Sequence, residues 1–143
     1  MKRVFTLSLA ILLLISVFSG CKKAFDVDGT IQKLKDKGMV VIESYTTDEA
    51  VNSMNALLNG EIKENGGDFT IALKQMTSLI YGDDYSQMCQ ILVFENTRQA
   101  KNMTDFYLSS RGEENFFYVA QSGNVMIATN VDFVQQVIDL KFS

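Results

Sequence analysis

The apolar positions of the chain change their period several times, and each change predicts an element. Residues 4–17 form an almost unbroken apolar run, interrupted only by Thr6, Ser8 and Ser16. Val27, Ile31 and Leu34 then recur at helical spacing and Gly38 supplies a stop, which predicts a short helix over 28–37. Residues 39–45, rich in Val and Ile, read as a strand. Thr46 with Glu49 three residues on has the pattern of a capping box. The helix behind it carries Ala50, Met54, Leu57 and Leu58 on one face and ends near Asn59-Gly60, before a polar loop over 61–68. Residues 69–81 and 85–95 are extended in character, with a break or bulge at Lys74-Gln75, and Gly82-Asp83-Asp84 between them makes the pair a hairpin. Asn96 or Thr97 caps the next helix, whose inner face is Ala100, Met103, Phe106 and Tyr107. Strands over 115–121 and 125–129 follow, and Asn130 caps a last helix with Val131, Val134, Val137 and Ile138 inward.

This order predicts an α+β domain. Its middle, strand–helix–strand–strand–helix–strand, has the split βαβ pattern of ferredoxin-like folds, with an extra N-terminal helix and a C-terminal strand–helix. A sheet with one wet face alternates apolar and polar residues. Here Ile91-Leu92-Val93-Phe94 and Phe116-Phe117-Tyr118-Val119 are apolar on both faces, so something covers the second face. The first and last helices are the expected cover, in a three-layer domain; a second copy, as a homodimer, is the alternative.

The apolar run at the start has a different purpose. Lys2 and Arg3 precede it and Phe18-Ser19-Gly20-Cys21 closes it, giving the charge–apolar–small layout of an export signal too short for a comfortable membrane span. Its last four residues resemble the lipobox of bacterial lipoproteins, with Phe18 standing where an aliphatic residue is usual. The resemblance covers only the first 21 residues. It implies cleavage after Gly20 and a diacylglyceryl group, with palmitate-type chains, on Cys21. The organisation expected is a signal peptide over 1–20, a short tether over 21–26 and one α+β domain over 27–143. That domain looks like the small uncharacterised domains of other bacterial lipoproteins, a likeness of pattern that brings no active site with it. Lys22 after the cysteine resembles outer-membrane sorting if the host has two membranes; otherwise the protein faces outward from the plasma membrane.

Composition narrows the chemistry. Removing Lys2 and Arg3 from the 13 basic residues leaves 11 against 17 acidic ones, a formal charge of about −6, which argues against nucleic acid or bulk anionic lipid as partner. The absence of histidine removes Ser-His and Cys-His nucleophile activation and nearly all zinc or copper sites. With Cys21 lipidated, Cys89 is the only thiol left; it reads as a buried structural cysteine, and no intramolecular disulfide is available. Asp26-Val27-Asp28-Gly29 opens like a calcium loop but fails at the later ligand positions and reads as a helix cap. Asp83 and Asp84 could serve a weak cation site, although adjacent carboxylates after a glycine are the ordinary chemistry of a turn. Glu43, Asp48, Glu49, Glu95, Glu113 and Glu114 supply carboxylates, but no spacing pairs them for acid–base work.

No catalytic residue, metal ligand or cofactor is therefore expected. The function expected is that of a membrane-anchored extracytoplasmic lipoprotein acting as a non-catalytic interaction module, held to the membrane by the lipid on Cys21 and meeting an envelope protein. Tyr81, Tyr85, Phe116, Phe117 and Tyr118 are its candidate contact residues, since Tyr and Phe are enriched at interfaces. The alternative is a lipoprotein that binds a small molecule in a pocket between the sheet and its helices. A carboxylate-based envelope hydrolase is a third reading.

Overall fold

A computed structural model of the protein describes residues 23–110 and 117–143, so Gly20, Cys21 and Phe116 lie outside the described residues. Among these residues four helices and five strands follow in the order α1 (Val27–Asp36), β1 (Met39–Tyr45), α2 (Asp48–Glu64), β2 (Leu73–Tyr81), β3 (Asp84–Phe94), α3 (Thr97–Ser110), β4 (Tyr118–Ser122), β5 (Val125–Thr129) and α4 (Asp132–Val137). The strands form one antiparallel sheet in the order β1-β2-β3-β5-β4. The fold is α+β as expected, but its strand order departs from the ferredoxin-like one. A split βαβ unit built on β1 and β2 would place another strand between them, whereas these two pair directly, Val41 opposite Leu79 and Tyr45 opposite Met76.

The cause lies in the connection. Asn59 Nδ2 donates to the Ile71 carbonyl and its Oδ1 accepts from the Ile71 N–H, while Asn55 Oδ1 accepts from the Leu73 N–H. These bonds lay the segment after α2 back along the helix. The chain therefore goes out along α2 and returns, so β2 starts at the end of the sheet where β1 finished and runs antiparallel to it. Helix α2 also passes the expected stop at Asn59-Gly60, because Ile62 in its last turn is fully buried and holds that turn on the core.

Strand pleating sends alternate residues to two cores. Val51 and Ile62 of α2, and Ala100 and Met103 of α3, pack with Met76, Leu92, Phe94 and Met126 on one face. On the other, Leu34 of α1 and Val134 of α4 pack with Leu79, Cys89, Ile91 and Ile127. The C-terminal segment joins this second cover through Leu140 and Phe142, and Ser143 exchanges backbone hydrogen bonds with Val119 at the free edge of β4. The apolar second face is thus covered from within the chain by its first and last helices.

Local signals act near the expected places. Asp26 caps α1 by accepting from the Gly29 N–H, Thr47 rather than Thr46 caps α2, and Asn96 accepts from the Gln99 N–H at α3. Asn130 caps nothing. Its side chain bonds the Met88 N–H and the Ser86 carbonyl, extending the β3–β5 contact, and Val131 stands at the N-cap of α4 without a side-chain hydrogen bond. Gly38 turns the chain between α1 and β1 at φ +94°, and the Tyr81 ring lies 3.3 Å from where a Cβ would stand, so both backbone and space call for glycine.

Candidate functional site

Helix α2 lies over β1 and β2, and α3 over β3, β4 and β5. Between them is a cleft of about 500 Å³ whose floor is the sheet. One wall follows helical spacing along α2, through Met54, Leu57, Leu58 and Glu61 to Asn65. The other runs along α3 through Met103, Phe106, Tyr107 and Ser110. Met76, Leu92 and Met126, in register across three strands, form the apolar part of the floor. Glu43 and Tyr45 of β1 close the side beneath α2. The volume falls in the range of small-molecule sites, roughly 300–1,000 Å³.

Two features mark the lining. Four methionines, Met54, Met76, Met103 and Met126, come from four different elements and meet here. Their unbranched thioethers fit irregular apolar shapes at little cost, as on adaptable binding surfaces. Leu57 adds an apolar lip that is 56% exposed. The second feature is charge: Glu43 and Glu61 line the cleft, and among the described residues no lysine or arginine does. Neither carboxylate makes an ion pair or a side-chain hydrogen bond among the described residues; the only ion pair there is Lys101–Asp105 on α3.

The expected contact residues do not form one surface. Tyr85 is 70% exposed near the β2–β3 turn, and Tyr81, 42% exposed, sets its ring edge-on to Phe133 at 5.2 Å. Tyr118 stands on the far edge strand β4, separated from β2 by β3 and β5, and Phe117 turns inward to meet the Tyr107 ring at 6.3 Å. Phe117 therefore backs the α3 wall of the cleft.

The remaining candidates have structural uses. Cys89 is fully buried, and burial pushes its thiol up to about 12, the reverse of an activated nucleophile. Asp84 accepts from the Ser86 hydroxyl, the Ser86 N–H and the Gln87 amide, which hold its carboxyl below the usual range and occupy its oxygens in the turn. Among the described residues no group of three or more Cys, Asp or Glu is placed to hold a metal ion. Among them, too, no helix is long and apolar enough to cross a membrane.

Sequence reasoning placed Met54 and Met103 on inner helix faces, Glu43 among the carboxylates and, in its alternative reading, a pocket between sheet and helices, but it did not identify the residues that line it. Its lining is scattered over 43–128, and no spacing in the chain links a methionine of β2 to one of β5. Comparison with protein-family models, with curated proteins and with solved structures finds no match for this chain.

Proposed function

We propose that this protein is a lipoprotein, anchored through Cys21 to the outward face of a bacterial membrane, which binds a small molecule without catalysis. The observation that carries the binding reading is the methionine-lined cleft between α2 and α3, which has the size and lining of a ligand site. The anchoring reading rests on the charge–apolar–small pattern of residues 2–21. The non-catalytic reading rests on a chain without histidine whose described thiol is buried.

A second reading, the protein-interaction module, draws on one observation, the exposure of Tyr81 and Tyr85 at one end of the sheet. Native mass spectrometry of the protein taken from its own membranes separates the two. The first reading expects a small non-covalent adduct that survives purification. A bare chain that crosslinks reproducibly to one envelope protein, and loses it on Tyr85→Ala, would instead support the second.

A further inference from the structure

One row of the cleft's sheet is polar. Glu43, Ser78, Gln90 and Ala128 are register partners on β1, β2, β3 and β5, on the same face as the apolar row Tyr45, Met76, Leu92 and Met126. Glu43 and Gln90 both line the cleft. Ser78 stands between them, 1% exposed, and its hydroxyl is the one buried side-chain polar atom among the described residues with no hydrogen-bond partner. A buried hydroxyl without a partner is costly and uncommon. The Gln90 amide and the Glu43 carboxylate are likewise free of side-chain hydrogen bonds among the described residues. Glu43 and Gln90 thus line the cleft beside its apolar floor and flank the buried Ser78 in register, with a second carboxylate, Glu61, on the α2 wall.

This pattern is complementary to one kind of occupant. A carboxylate beside a buried hydroxyl and an amide oxygen accepts a multiply donating cation, and an ammonium presents three donors. An anionic head would instead be repelled by both glutamates, in a cleft whose described lining holds no basic residue. Resting on the ligand-binding reading above, we infer that the Glu43–Ser78–Gln90 row is the head-group subsite of the cleft. The ligand is a small amphiphile with a primary ammonium, its alkyl part lying on Met76, Leu92, Met103 and Met126.

The test uses the lipidated full chain in nanodiscs, with its methionine methyl groups labelled with carbon-13 and followed by NMR. The probes are hexylamine, hexanol and hexanoate, short enough to stay largely in water. Met54, Met76, Met103 and Met126 report on the cleft, and Met39, in the opposite core, is the internal control. Hexylamine is expected to shift the four cleft methyls but not Met39, and to bind at least about tenfold more tightly than hexanoate, the effect of one charge-assisted contact. Glu43→Gln should remove that preference while leaving hexanol unchanged, and Ser78→Ala should weaken hexylamine alone. Equal binding of all three probes, or tighter hexanoate, would overturn the head-group assignment and leave the cleft a ligand site. If no probe moves the four methyls, both readings fail.

Discussion

Asn59 is the residue on which the layout of the α2 face depends. It is polar, sits on a helix and forms both a donor and an acceptor bond with one backbone unit, Ile71, at 2.9 and 2.8 Å. Replacing it with alanine leaves the Ile71 N–H and carbonyl without partners beside the core, which costs about 2–3 kcal/mol. The expected result is a lower urea midpoint for Asn59→Ala with an unchanged slope. Cys89 gives a pH dependence of known sign. Its ordinary value is 9.0 and burial raises it to about 12. Below 9 the thiol is protonated in both folded and unfolded chains and its contribution is fully present. Between about 9 and 12 only the unfolded chain gives up the proton, so stability falls as pH rises, by at most roughly 1.4 kcal/mol per pH unit. The measurement is the difference in slope between the protein and Cys89→Ala, which isolates the thiol from every other group. A difference of zero would mean that the thiol reaches solvent in the folded state.

Among the elements, α2 shows where local reading and tertiary packing part. Gly60 marks a stop by composition, yet the helix continues through it to Glu64, because Ile62 is drawn into the core and Asn65 provides the C-cap. A Cβ at Gly60 would meet nothing within 4 Å. Gly60→Ala is therefore expected to stabilise the protein by about 0.5–1 kcal/mol, chiefly by restricting the unfolded chain, seen as a higher melting temperature. Much of the rest was legible. The alternation around Lys74-Gln75 pointed to the bulge between Leu73 and Gln75, and the doubly apolar strands pointed to a second covering layer. Strand order was not legible, because it turns on side-chain bonds from Asn55 and Asn59 to residues 12 to 18 positions away. Asn130 misled for a similar reason: its amide reaches back more than 40 positions to β3, and no local pattern carries that preference. The cleft was half legible, its helical walls visible as apolar stripes and its floor invisible until the strands were aligned.

At the scale of the molecule, the two sides of the sheet have different characters. Lys22 and Lys23 stand in the tether and Lys33, Lys35 and Lys37 lie on or directly after α1, so five of the eleven basic residues after Arg3 fall in the tether and the first turns behind it. The other side holds the cleft, with Glu43 and Glu61 in its lining. If the chain is anchored through Cys21 as proposed, the α1 layer is expected to face the anionic head groups, where lysines are favoured, and the cleft to open toward the envelope fluid. Occupancy of that cleft by a small molecule is the proposal on which the function rests. Its most direct test is native mass spectrometry of the protein from its own membranes beside a Ser110→Trp version made the same way. Ser110 lies at the exposed end of the α3 wall, where a large ring would close the cleft without entering the core. The expected result is a non-covalent adduct on the natural chain that is absent from Ser110→Trp. An identical adduct on both chains, or none on either, would contradict occupancy of the cleft.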